Sequence, residues 1–286
     1  MIPGREGQGD RVMRSVDVRG VCVGLVLALS GLLQACAGGG AGGGAAKGGG
    51  DSGSLRAGDG SWRTIGRSVD GRAIRAATFG SGRPRVLVVG GIHGNEPEPL
   101  PGVAELASNL GASPPRGTVL LIEDINPDGT ASGTRGNARG VDLNRNWSTG
   151  NFIATARHGP HPKSEPETAL LAEQIAAFAP EVIIVLHSIR SGPFVNFDGP
   201  ARAHAEVFAG ACRPMDPRWT VRASMGYPTP GSLGTWAGVE RGIATLTVEF
   251  SRGHAAELTR HAVVAGTRAV LEMTATPTRA RSKLGP

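Results

Sequence analysis

The chain of 286 residues carries 30 Lys and Arg against 24 Asp and Glu, a formal charge of +6, with three cysteines and a single tyrosine. Two of the cysteines fall in the first 36 residues, so the rest of the chain has neither an internal disulfide framework nor a cysteine metal cluster. The basic excess lacks interleaved aromatics; it fits solubility or an acidic envelope polymer, and no nucleic-acid partner is expected.

In chain order, Arg11, Arg14 and Arg19 precede the apolar run "GVCVGLVLALSGLL". The run is short for a bilayer span and has no basic stop-transfer flank, so it reads as an export signal. Leu33, Gln34, Ala35 and Cys36 resemble the lipobox of bacterial lipoproteins, in which the cysteine becomes an acylated N-terminus. Residues 1–36 are therefore expected to be a lipoprotein-type signal, already complete from Met13, which competes with Met1 as the start. Residues 37–60, nearly all Gly, Ala and Ser, cannot bury a core and are expected to form a flexible tether. Residues 61–276 suffice for one domain with a sizeable core, and 277–286 form a basic tail. The domain is thus expected outside the cytoplasm, facing the periplasm or the exterior from a membrane anchor at Cys36.

Within the domain, "RAIRAATF", "RVLVVGG", "TVLLIEDI", "EVIIVLH", "WTVRAS" and "ATLTVEF" have the length and β-branched content of strands. Helical patterns lie between them: "PLPGVAELASNL", "SEPETALLAEQIAAFA", "ARAHAEVFAGAC" and "HAAELTRHAVVAGTRAVLEM". The second opens with Ser164 and Glu167 at capping-box spacing. Apolar strands alternating with amphipathic helices predict an α/β fold, a three-layer α/β/α domain with a mixed, largely parallel central sheet. Ligands of such sheets bind beyond the carboxyl ends of strands.

His93 and Glu96 fall there, on the glycine turn of "VLVVGGIHGNE", and His187 arrives at the end of "EVIIVLHS". Two imidazoles and a carboxylate leave a fourth position open for water, the pattern of a catalytic zinc site. Glu98 competes with Glu96 on paper, although it stands between Pro97 and Pro99. His158 and His161 belong to a polar loop, and His204, His254 and His261 to helical stretches.

The segment "NPDGTASGTRGNARGVDLNRNW" follows a strand and is dense in arginine and asparagine. With "GGIHGNE" before it and "LHS" and "TVEFSRG" after it, the order resembles the zinc metallocarboxypeptidases of the carboxypeptidase A type. "NARGVDLNRNW", "VNFDGPA" and "GYPTPGSLGTW" resemble most closely the compact bacterial branch that contains the murein tripeptide amidases. The resemblance spans nearly the whole domain.

It implies one Zn2+ per chain on His93, Glu96 and His187, with Glu249 of "TVEFSRG" as general base. Arg135, whose spacing to "GVDLNRN" fits the family pattern, is implied in the oxyanion role, with Arg139 close by. Asn144 and Arg145 hold the substrate's terminal carboxylate, and Asp142 and Asn146 brace the loop while Trp147 packs. Tyr227, twenty-two residues before Glu249, matches a mobile tyrosine that bonds near the scissile amide. Leu233 falls where relatives line the pocket for the terminal side chain, and an apolar residue there gives no sign of a preference for terminal Lys or Arg. The implied substrate is a short, wall-derived peptide cut between γ-D-glutamate and meso-diaminopimelate. Two rivals remain at this stage, an N-acyl amino acid deacylase of the desuccinylase and aspartoacylase type and a non-catalytic lipoprotein that binds wall peptides.

Overall fold

The computed structural model describes residues 58–253 and 255–276; the leader, Cys36, the tether up to residue 57, His254 and the basic tail lie outside the described residues. The strand "RVLVV" shows how the layers form. Val86 and Val88 join one buried apolar cluster while Leu87 and Val89 join the other, because successive side chains leave a strand on opposite faces. Ile184 and Leu186 against Ile183 and Val185 repeat the split one strand away. A strand buried on both faces needs helices on both faces, and three layers result.

In order the elements are β1 (Gly58–Asp59), β2 (Arg63–Arg67), β3 (Ala73–Ser81), β4 (Arg85–Val89), α1 (Leu100–Ala112), β5 (Gly117–Ile122) and α2 (Pro127–Ser132). There follow α3 (Pro166–Phe178), β6 (Val182–Ile189), β7 (Phe194–Asp198), α4 (Arg202–Cys212), β8 (Thr220–Arg222), β9 (Ala244–Ser251) and α5 (Ala256–Ala275). A 3-10 turn covers Leu143–Arg145 and a π-helical segment Gly234–Val239. The strands run β1-β3-β5-β4-β6-β9-β7-β8, with β2 also paired to β3. β5, β4, β6 and β9 form a parallel centre; β3 joins β5 and β7 joins β9 antiparallel. The mixed sheet with a parallel centre is as expected, while four of its eight pairings are antiparallel. Residues of α1, α4 and α5 fill one apolar cluster, and α3 with the π-helical segment fills the other.

Three local expectations need correction. The tether does not reach residue 60, because Gly58 and Asp59 pair with Gly80 and Phe79 on the edge of β3. β2 and β7 were not among the expected strands; pairing with β3 and β9 makes them strands. The capping box at α3 does not form. Glu165 is the N-cap and Ser164 Oγ turns to its carboxylate, while the buried Glu167 accepts from Val69 N–H and Asn137 Nδ2. Among the described residues no helix is long and apolar enough to cross a membrane.

Candidate active site

β4 and β6 are neighbours in the parallel centre, and β9 lies beside β6, so their carboxyl ends open on one side of the sheet. The chain leaves β4 through Gly91, whose φ is 69° and where a Cβ would strike the Asp124 carboxylate; only glycine makes this turn. It delivers His93 and Glu96. β6 delivers His187 directly beside Glu249 of β9. All four side chains are buried.

The three expected ligands converge. His93 Nδ1 lies 3.0 Å from Glu96 Oε1, and His187 Nδ1 lies 2.9 Å from Glu96 Oε2 and 3.1 Å from His93 Nδ1. Two ring nitrogens and a carboxylate that converge this closely can turn lone pairs toward a single cation. The spacing is near the edge of about 3.4 Å for a tetrahedron with Zn–N bonds of about 2.1 Å. The residues therefore fit a zinc ion. His93 Nε2 donates to Asp142 Oδ1 at 3.0 Å, which leaves Nδ1 as the ligand atom and sets the ring's orientation.

Charge compensation holds this cluster. Burial by itself pushes Glu96 up, but hydrogen bonds from His187 and His93 outweigh it and keep its carboxyl well below the ordinary range. Burial of Asp142 is likewise overcome by His93 and Arg135, and His93 is raised against its own burial by Asp142 and Glu96. Glu249 moves the other way. Burial raises it, Glu96 adds to the rise, and His187, Arg135 and Arg252 only partly oppose. Among the described residues none hydrogen-bonds its carboxylate.

Arg135 stands over the ligands, donating from Nη1 to Glu96 Oε1 at 3.0 Å and from Nε to Asp142 Oδ2 at 2.8 Å. Arg139 turns away to Glu165, 3.5 Å distant. The Leu143–Arg145 turn presents Asn144 and Arg145 to a cavity of about 440 Å³ that also holds the metal ligands, Glu249 and Tyr227. Asn144 Oδ1 accepts from Leu233 N–H at 2.9 Å and Arg145 Nη1 donates to Asn144 O at 2.6 Å. Tyr227 is 48% exposed at the mouth. Asn146 ties the loop to His158, His161 and Ser164, and Trp147 is buried against Trp236.

Leu233 does not line the cavity. Its side chain is 1% exposed and packs in the apolar cluster with Trp147 and Trp236, and Ser232 and Gly234 face the cavity instead. A residue on a helical turn cannot share a face with both of its neighbours, and the apolar side chain takes the core side. Glu98 is not a ligand either; it accepts from Ser188 Oγ and Gly253 N–H and ties the ends of β6 and β9.

Three contributors were not assigned to the site from sequence. Asp142 does brace its loop, through Asn144 N–H, but it also grips His93 and Arg135. Arg252, in the quoted "TVEFSRG", comes within 3.7 Å of Glu96 Oε1. Asp198 lines the cavity from β7; the alternation of "FVNFD" was the signal that could have found it.

A family model described as zinc carboxypeptidase matches residues 61–262. The chain is 32% identical to murein peptide amidase A of Escherichia coli over 180 residues, covering 57% of this chain and 70% of that protein. It is 29% identical over 182 residues to murein peptide amidase A of Vibrio campbellii, covering 58% and 69%. The crystal structure of an Escherichia coli murein-tripeptide amidase superposes with a TM-score of 0.59 at 27% identity, across 73% of this chain and 91% of that one. Carboxypeptidase A of Helicoverpa armigera shares the fold, with a TM-score of 0.62 at 18% identity over 74% of this chain and 68% of that one.

Proposed function

The chain belongs to the zinc carboxypeptidase family, and from that premise we propose that it is an envelope-anchored amidase that releases meso-diaminopimelate from γ-D-glutamyl-meso-diaminopimelate peptides of the cell wall. The observation that carries the chemistry is the meeting of His93, Glu96 and His187 with Glu249, Arg135 and Arg145 around one cavity. The substrate rests on similarity to the murein amidases. Export and acylation at Cys36 rest on the leader sequence.

His93, Glu96 and His187 would hold one zinc ion, which would supply Lewis acidity and make water more acidic at the site. The chain's own side chains do the rest. Glu249 accepts the proton of the attacking water and later hands it to the departing amine. Burial raises its affinity for a proton, which favours its taking one up. The Arg135 guanidinium, already oriented by Asp142, lies where negative charge gathers on the amide oxygen. Arg145 grips the terminal carboxylate with its planar fork, and Asn144 adds an amide donor. Tyr227, on the exposed rim, bonds the substrate near the scissile amide.

The test is to incubate the zinc-loaded protein with L-Ala-γ-D-Glu-meso-diaminopimelate and, separately, with blocked ordinary dipeptides, following products by mass spectrometry. Release of diaminopimelate from the first is expected. Cleavage of the ordinary peptides alone would discard the wall substrate, and silence on both would remove the amidase reading. Fractionation checks the anchor: wild type belongs in the membrane fraction, and an equally membrane-bound Cys36→Ser variant would refute acylation at that residue.

A further inference from the structure

Two cations of the cavity have no part in the mechanism above. Arg252 follows the last residue of β9, and its Nη2 stands 3.7 Å from Glu96 Oε1, beside the converging ligands. Among the described residues its side chain makes one hydrogen bond, a long one from Nε to Ser188 O at 3.4 Å, so both terminal nitrogens of the guanidinium lack an acceptor. Arg190 follows the last residue of β6, lines the same cavity and is exposed, and among the described residues no acceptor contacts its side chain. The other arginines of the cavity are engaged, Arg135 by Asp142 and Glu96 and Arg145 by Asn144 O.

The strands set where the two cations lie. β6 and β9 end together, Ile189 opposite Ser251, so Arg190 and Arg252 leave neighbouring strands at one level. Thr247, Glu249 and Arg252 line the cavity in that order along β9 and past its end, which places the general base between an inner and an outer part. The clamp for the terminal carboxylate belongs to the inner part: Leu233 N–H holds Asn144, and the adjoining Gly234 abuts Asp198, the partner of Thr245. A substrate whose terminal residue lies on Arg145 and whose scissile carbonyl lies by the ligands therefore runs outward, with the residue before the scissile amide against Arg252 and Arg190. Two cations without bound acids create a positive potential that attracts an anionic group.

We propose that Arg252, with Arg190, forms an anion subsite that receives a carboxylate of the residue before the scissile amide, which in the wall peptide is the free α-carboxylate that the γ-linkage leaves on D-glutamate. That carboxyl carbon lies four bonds from the scissile carbonyl carbon, about 5 Å when extended. Arg252, close to a ligand oxygen, stands within such a reach of the site, and its planar fork meets a carboxylate bidentately. Naming γ-D-glutamate rests on the amidase reading. An α-linked L-glutamyl side chain holds its carboxylate at the same remove, and the test separates the two.

Calorimetry on the zinc-loaded full chain compares L-Ala-D-Glu with L-Ala-D-isoglutamine, which share a free γ-carboxylate and differ only in the α-carboxylate against a carboxamide. The wild type is expected to bind the first about tenfold more tightly or better, the effect of one hydrogen-bonded charge pair. Arg252→Gln should bring the two within threefold, Arg190→Gln should narrow the gap, and Arg252→Lys, which keeps the charge and loses the fork, should fall between; unfolding temperatures show that the variants are folded. Equal binding of both dipeptides to the wild type would overturn the proposal, as would a preference that survives in Arg252→Gln. In hydrolysis, L-Ala-γ-D-Glu-meso-diaminopimelate should exceed its isoglutaminyl counterpart in kcat/KM by a similar factor. A protein that keeps the binding preference but cuts only the α-linked L-Ala-L-Glu-meso-diaminopimelate would refute the amidase reading and leave the subsite in place.

Discussion

Replacing Asp142 with Asn keeps the shape of the side chain and breaks the link between ligand and oxyanion groups. In the wild type, Oδ1 accepts from His93 Nε2 at 3.0 Å and from Asn144 N–H at 2.9 Å, and Oδ2 accepts from Arg135 Nε at 2.8 Å. An amide serves one side only. If its oxygen stays with His93, its NH2 confronts the Arg135 donor; if it flips, the NH2 confronts His93 and drives the imidazole proton onto Nδ1, the atom needed for the metal. Either way a hydrogen bond to a charged group is lost, about 1.5–3 kcal/mol, and loss of such an outer partner lowers metal affinity roughly 10–100-fold. Because His93 and Arg135 hold Asp142 well below the ordinary carboxylate range despite its burial, the wild-type group is fully charged near neutral pH. Zinc affinity measured by competition with a chromophoric chelator at pH 7 should fall by that factor, and kcat/KM should fall with it. A folded Asp142→Asn variant that binds zinc within threefold of wild type would show that Asp142 only braces its loop.

Glu249→Gln should lower kcat by roughly 10²–10⁴-fold while zinc affinity stays within a few-fold, because Glu249 is not among the converging ligand atoms. Asp124, beside the Gly91 turn, is raised from 3.8 to about 6, mainly by burial and further by Glu123 and Asp128. Its folded form binds the proton more tightly than the unfolded chain does, so its contribution to stability is greatest below pH 4 and fades as pH rises through about 6. Asp124→Asn should therefore stabilise the domain at pH 7 by about 1–3 kcal/mol relative to its effect at pH 4. Thermal unfolding at the two pH values measures this, and an equal shift at both would rule it out.

His93, Glu96 and His187 were readable because each stands at the end of an apolar strand, and strand ends of a parallel sheet share a side whatever the details of packing. Glu249 was readable only through the resemblance of "TVEFSRG" to the family motif, and the pairing of β9 with β6 sets it beside His187. Trp147 and Asn146 also met their expectations, since an indole in an apolar context packs and a buried amide bonds backbone. Leu233 shows the limit. The family resemblance placed it at the pocket, but which face of the π-helical segment turns inward depends on Trp147 and Trp236, which come from distant parts of the chain.

By itself, then, the sequence determined the layered α/β architecture through its periodicities, and its motif order pointed to His93, Glu96, His187 and Glu249, which the fold brings to one cavity. The tertiary structure alone decided the rest. That Asp142 bridges His93 and Arg135, that Arg139 turns to Glu165, and that Asp198 faces the cavity beside two glycines depend on which separate segments meet. Hydrogen bonds and close packing act over about 3–4 Å, and only folding brings β7, β9 and the 126–147 loop within that reach.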